Sequence, residues 1–377
     1  MRRTIIALTL MAAPSVLSPM APHAAAQSRP ELPADADPND WESYFALGER
    51  LFTVFPSRAD QAFIWSERLD PTRAEPIMAR WAAFYARDQG LWINYLNNDE
   101  RTLRRPDVIL NEERMRLALA RNPFVHRGFE AALLSMLGRR ILWDRSGEAF
   151  LAYGRGHFRR AAADFGALVR RNPQRNYRLR HYRALSLIGA NQPDSAAAEL
   201  ERLLADLRRA DAEELVGEYQ SKALWEHAVG RVHEALGDTG RARRDYERAL
   251  EEDLAWYPAR MGLARLDARA GNVDGAVEHL AAAAEMVPND GVVRLEYGNA
   301  LALAGRVDEA VQQYGRAREL HPHWAEVYLR LGRAYEVQGT TAEAIEAYRG
   351  YLTRAPRRQA EIAEAVRRRV AELQPKP

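Results

Sequence analysis

The chain has 377 residues, 47% apolar and 28% charged, an ordinary balance for one to three folded domains. It contains no Cys, which excludes disulfides, thiol nucleophiles and cysteine metal sites together. Its formal charge of +2 rests on two arginines at the extreme N-terminus, so a nucleic-acid or anionic-membrane partner gains no support from overall charge.

Arg2 and Arg3 precede an apolar run from Ile5 to Leu17, and Ala24 and Ala26 form an A-x-A site before Gln27. A basic start, a short apolar core and a small-residue cleavage site predict a signal peptide over 1–26, cut after Ala26, and hence export to the periplasm or beyond. The residues around Arg2-Arg3 match the twin-arginine route poorly and favour general export. The run is too short to span a membrane, and no later stretch reaches ~18 uninterrupted apolar residues, so no membrane span is expected. The exported chain then carries 52 basic and 52 acidic residues.

Residues 27–40, QSRPELPADADPND, are rich in proline and acid and read as an extended, disordered linker. Asp35, Asp37 and Asn39 alternate as at the start of a calcium loop, but the glycine and distal glutamate of such a loop are missing. Residues 41–141 carry only fragments of a helical pattern. FIWSERLDP at 63–71 and RLALARNP at 116–123 resemble the ends of helices, and ARDQGLWINYLNNDERTLRRPD at 86–107 reads as a polar, lid-like loop. Twelve aromatics fall in 41–95, among them Trp41, Trp65, Trp81 and Trp92. Most belong in a core; Trp92 and Tyr95, inside the expected lid, are the candidate anchors for a partner.

From residue 142 a period of 34 takes over. Gly237, Gly271, Gly305 and Gly339 recur at that spacing, as do Ala242, Ala276, Ala310 and Ala344, while Pro288, Pro322 and Pro356 close three copies. An uninterrupted period of this length predicts stacked helical hairpins, each too small to bury its apolar face alone. The units are 142–175, 177–210, 223–256, 257–290, 291–324 and 325–358, with extra residues at 211–222. Within each, the glycine ends the first helix, because the residue after a helix end often needs a left-handed backbone. Asn191 stands where 177–210 would have that glycine. RRQAEIAEAVRRRVAELQ then supplies a capping helix over 359–377, with Ile362, Val366 and Leu373 as its apolar stripe.

These units resemble tetratricopeptide repeats. The landmarks in the last are Tyr328, Leu331, Gly332, Tyr335, Gly339, Ala344, Tyr348, Tyr351 and Pro356; the one before has Tyr297, Gly298, Leu301, Gly305, Ala310, Tyr314, Ala317 and Pro322. The unit at 257–290 departs with Asp267 in an aromatic slot, and 223–256 places His233 there. The resemblance implies an all-α fold, a right-handed superhelix of hairpins whose first helices line a groove for peptides or partner helices. On that groove Arg231, Arg265, Asn299 and Arg333 form a row, with Arg330 beside it. Guanidinium groups so placed suit carboxylates through paired hydrogen bonds, pointing to an acidic protein or peptide. With 52 Arg and only Lys222 and Lys376, arginine is also this chain's default cation, which weakens the inference.

No catalytic constellation is legible. His227 and His233 lie six apart, a poor spacing for one metal, and His233 fits core packing better. His321 and His323 flank Pro322 at a turn, where they are expected to meet solvent. Gly154-Arg-Gly156 lacks the third glycine and preceding strand of a nucleotide loop. The expectation is an exported, non-enzymatic scaffold without cofactor or metal, binding a protein or peptide, with self-association as a structural variant. The alternative is a carbohydrate-binding accessory or enzyme with its site in the aromatic-rich N-terminal region.

Overall fold

The computed structural model describes residues 28–137, 146–171, 177–213 and 221–374; the expected signal peptide lies outside them. Among the described residues there are α-helices and no strands. In chain order they are α1 (Trp41–Leu51), α2 (Pro56–Leu69), α3 (Ala74–Ala86), α4 (Gln89–Leu96), α5 (Glu100–Leu103), α6 (Pro106–Arg121) and α7 (Gly128–Leu137). Then come α8 (Ser146–Gly154), α9 (Phe158–Arg171), α10 (Tyr177–Gly189), α11 (Pro193–Glu213), α12 (Ala223–Ala235) and α13 (Thr239–Glu252). The periodic end holds α14 (Tyr257–Arg269), α15 (Val273–Met286), α16 (Gly291–Leu303), α17 (Val307–Leu320), α18 (Ala325–Gln338), α19 (Thr341–Leu352) and α20 (Ala360–Leu373).

The described residues divide into two compact units. One comprises Ile77–Gly262; the other joins residues 28–76 to 263–374, with the divisions inside α3 and α14. In the first, consecutive helices from α7 to α13 pack on one another; in the second, consecutive helices from α15 to α20 do the same and α1 packs on α2. Each unit is thus a stack of hairpins in an all-α solenoid.

The turns repeat as faithfully as the helices. Gly237, Gly271, Gly305 and Gly339 have φ of 80°, 79°, 75° and 78°, and Gly156 and Asn191 take the same left-handed conformation at 75° and 59°. The residue after each donates its N–H to the carbonyl five positions back at 2.9 Å: Asp238 to His233, Asn272 to Asp267, Arg306 to Leu301, Thr340 to Tyr335, His157 to Ala152 and Gln192 to Leu187. This closes the last turn of the helix and satisfies a carbonyl that would otherwise lack a partner. Asparagine substitutes at 191 because it tolerates that conformation better than other side-chain-bearing residues.

Packing within each hairpin depends on close approach. A Cβ added to Gly298 would lie 2.5 Å from Tyr314 Cε1, and Gly332 faces Tyr348 in the same way. In the other unit Gly230 and Gly262 both lie against the ring of Tyr246. Ala242, Ala310 and Ala344 are fully buried and Ala276 nearly so. The capping helix α20 buries Ala363, Val366 and Val370, whereas Ile362, expected on its apolar stripe, is 42% exposed. The stripe is set by which side faces α19, so it turns by one residue from the sequence-based assignment.

Most of 86–107 is helical rather than a loop, with α4 and α5 joined by short turns. Asp88 accepts from the Leu91 N–H at 3.0 Å and Asp99 from the Thr102 N–H at 2.9 Å, so each short helix starts on its own aspartate cap. Leu91, Trp92 and Leu96 turn inward from α4.

The two kinds of glycine make separable predictions. Nothing lies within 4 Å of a Cβ on Gly305, so Gly305→Ala should cost about 1–2 kcal/mol through backbone strain alone. Gly298→Ala should cost about 1–3 kcal/mol by overpacking. In thermal unfolding, Tyr314→Leu should recover part of the loss only when combined with Gly298→Ala; equal recovery in both backgrounds would refute the distinction.

Candidate partner-binding site

In the unit that joins the chain start to 263–374, the first helices of the hairpins are α14, α16 and α18. Asn299 and Arg333 each follow the glycine that meets a tyrosine ring, so they sit about 100° round the helix from that contact. Arg265 holds the equivalent position on α14. Arg333 is exposed and Arg265, Asn299 and Arg330 are half-buried. Asn299 Oδ1 accepts from the Tyr314 hydroxyl at 2.9 Å, and Arg330 Nε donates to Glu326 Oε1 at 2.7 Å. Two members of the expected row are therefore already oriented by neighbours. Arg231, half-buried on α12, belongs to the other unit.

A cavity of about 270 Å³ brings Asn299 and Arg330 together with Leu295 and Trp324. Arg265 and Arg333 are not among its lining residues. Its other walls come from two places that the sequence reading did not assign to the groove. Trp41, Leu69 and Asp70 enter from the start of the chain, and Arg354 and Arg358 from the turn before α20.

The described part of the expected disordered linker is folded. The Arg29 guanidinium lies over the rings of Trp65 at 4.9 Å and Tyr44 at 5.4 Å, and its Nε donates to the Tyr44 hydroxyl at 2.7 Å. Asn39 Nδ2 donates to the Thr353 carbonyl at 3.1 Å, and the Arg357 N–H donates to Asp37 Oδ2 at 2.5 Å. Acidic residues that alone would keep a segment solvated here meet fixed donors. His323, expected in solvent, is exposed, with its ring 5.1 Å from that of Trp65; partial burial first, then Arg68, Arg29 and Arg354, holds its pKa below the usual histidine value.

Of the two expected anchors, Trp92 is buried and Tyr95 is half-buried. Trp92 is 1% exposed and packs edge-on against Trp81 and stacked on Tyr95. These rings surround a carboxylate. Glu112 Oε1 accepts from Trp81 Nε1 at 3.0 Å and the Tyr85 hydroxyl at 3.1 Å, and Oε2 from the Tyr95 hydroxyl at 2.8 Å. Burial raises the Glu112 pKa despite these three donors, and burial followed by the Glu112 charge pushes up those of Tyr85 and Tyr95. The donors of Trp81, Tyr85 and Tyr95 are engaged by the carboxylate, while the buried Trp92 Nε1 has no hydrogen-bond partner.

Two further pairs occupy equivalent positions one period apart, the first buried and the second with its histidine half-buried. His233 Nδ1 lies 2.6 Å from Asp245 Oδ2, and in the next hairpin His279 Nε2 lies 3.5 Å from Asp267 Oδ2. The acid and the imidazole have changed places. Burial, partly offset by the bond to His233, raises the Asp245 pKa. Among the described residues no group of three His, Asp or Glu is placed to hold a metal ion.

The tetratricopeptide repeat family profile matches residues 228–291 and 295–358. A search of curated proteins gives no match. Among solved structures the chain is similar to MamA, at 17% identity and TM-score 0.40 over 47% of this chain and 96% of that one. It is also similar to YrrB, described as a TPR protein with an unusual peptide-binding site, at 21% identity and TM-score 0.40 over 52% and 93%. A third is the C-terminal part of a TPR repeat-containing protein from Cytophaga hutchinsonii, at 18% identity and TM-score 0.46 over 55% and 78%.

Glu112 gives this region a pH signature. A raised folded-state pKa contributes stability that is fully present below the unfolded value and is lost as pH rises through the folded one. Glu112→Gln, which does not titrate, should therefore gain on the wild type between about pH 4 and about pH 7. Denaturant midpoints at the two values measure this, and a constant gap would show that the carboxylate carries no burial cost.

Proposed function

Residues 228–291 and 295–358 are tetratricopeptide repeats, and on that premise we propose that the chain is an exported, non-catalytic scaffold holding a protein or peptide on its first-helix face. What supports this reading is the position of Arg265, Asn299 and Arg333 at the same step of successive first helices, with Arg333 exposed and Arg265 and Asn299 half-buried. Arginine there favours carboxylates, because its planar fork pairs both oxygens at once.

The absence of a catalytic role is supported by how the buried ionisable groups are used. Glu112 is saturated by three donors, and His233–Asp245 and Asp267–His279 are paired inside hairpins. A carbohydrate site in the aromatic-rich region is disfavoured by the placement of Trp41, Trp65, Trp81 and Trp92, all at most 9% exposed. Export rests on the N-terminal sequence pattern, and a purely structural role in assembly would be marked by stable self-association.

A random peptide library selected on the purified chain tests the reading. The wild type should enrich peptides with a net acidic composition, and Arg265→Glu combined with Arg333→Glu should lower their binding at least about tenfold, as loss of charge-assisted pairs requires. Unchanged binding with intact helicity would remove the row from the site. The N-terminus of exported material, read by mass spectrometry, should begin at Gln27.

A further inference from the structure

The inner side of the last two repeats is covered by the beginning of the same chain. Trp41, Leu69 and Asp70 close the cavity against Leu295 and Asn299, and Trp65 meets His323 at the turn between the repeats. Beside the Asn39 amide and the Arg29 stack, the contacts that fix the lead-in to the far turn pair acidic residues with arginines. Arg358 pairs with Glu42 at 2.8 Å and with Asp40 at 3.4 Å. The Arg357 N–H and guanidinium hold Asp37 Oδ2 and the Asp35 carbonyl, at 2.5 and 3.2 Å. An acidic stretch, 35–42, thus lies on an arginine turn, 354–358.

These contacts are of a kind that can be broken as a set. Glu42 and Arg358 are 62% and 38% exposed, and ion pairs at such sites are individually weak and screened by salt. The hairpin meanwhile keeps a core of its own: Trp41, Tyr44, Trp65 and Leu69 cluster together, and the Ser66 hydroxyl donates to the Trp41 carbonyl at 2.9 Å. Residues 70–73, which bound it, are a turn rather than part of a helix. A unit with an internal core and a salt-screened attachment can leave without unfolding.

We propose that the turn Arg354–Arg358 is a docking site for acidic segments, filled at rest by the chain's own residues 35–42, and that the α1–α2 hairpin is a releasable cover over α16 and α18. Only the consequence for access to the groove rests on the partner-binding reading; the docking itself does not. An acidic partner reaches this end of the groove by displacing the cover, and its apparent affinity falls in proportion to the open fraction.

The full-length chain carrying Asp37→Lys and Glu42→Lys tests this, with a labelled synthetic peptide of residues 28–45 as the probe. Amides of α1 and α2 should exchange about tenfold faster than in the wild type at low salt, and the wild type should approach the variant in about 1 M NaCl. Protection of α16–α19 should not change. The peptide should bind the variant about tenfold more tightly than the wild type, and adding Arg357→Glu and Arg358→Glu should abolish that binding while restoring protection of the hairpin. Unaltered exchange in the lysine variant overturns the releasable cover. Faster exchange without peptide binding overturns the acidic docking site. Loss of library enrichment with both results intact would defeat the partner reading alone.

Discussion

A tyrosine ring laid where the facing helix has no side chain is the contact on which the periodic fold depends. Gly298 with Tyr314, Gly332 with Tyr348, and Gly230 and Gly262 with Tyr246 all obey it. The ring supplies the buried area of a large aromatic, and the glycine lets the backbones approach closely enough for the alanines at 310 and 344 to exclude water. Glycine within a helix is unfavourable by roughly 1 kcal/mol relative to alanine, so its use there makes sense only through this contact. Once the spacing is set, the free side of the first helix has a fixed direction, and the row that includes Asn299 and Arg333 inherits it.

Much of this was legible in the sequence because it is local or strictly periodic. A glycine every 34 residues announces a left-handed helix end, and asparagine at 191 obeys the same rule with a different residue. The caps at Asp88 and Asp99 are local too, yet in sequence 86–107 reads as a loop, because α4 and α5 are so short that apolar periodicity gives no signal for them. Trp92 was misplaced for a related reason. In a polar stretch its exposure could not be inferred, and its burial depends on Trp81 and Tyr95 closing round a carboxylate from α6.

The folding of residues 28–40 onto the opposite end of the sequence had no such signal. Asn39 and Thr353 are 314 positions apart, and no window of composition connects them. Only the complementarity of DADPND and RAPRR hinted at it, and in a chain with arginine as its habitual cation that hint is faint. The candidate site differs from its sequence-based outline for the same reason: two of the expected residues line the cavity, and the rest of its walls come from the distant segments.

The exchange of acid and imidazole between neighbouring hairpins has a consequence for assembly. Repeats this alike invite an exchange error, in which the second helix of one copy closes a hairpin with the first helix of a neighbouring copy. His233 with Asp245 and Asp267 with His279 penalise that mistake, since such a mismatch would bury Asp245 against Asp267 or His233 against His279. Two like groups shut away from water cannot both keep their charge, so the wrong partner is rejected while the right one is accepted. A pair of otherwise interchangeable modules is in this way given a lock and an orientation, written in four side chains.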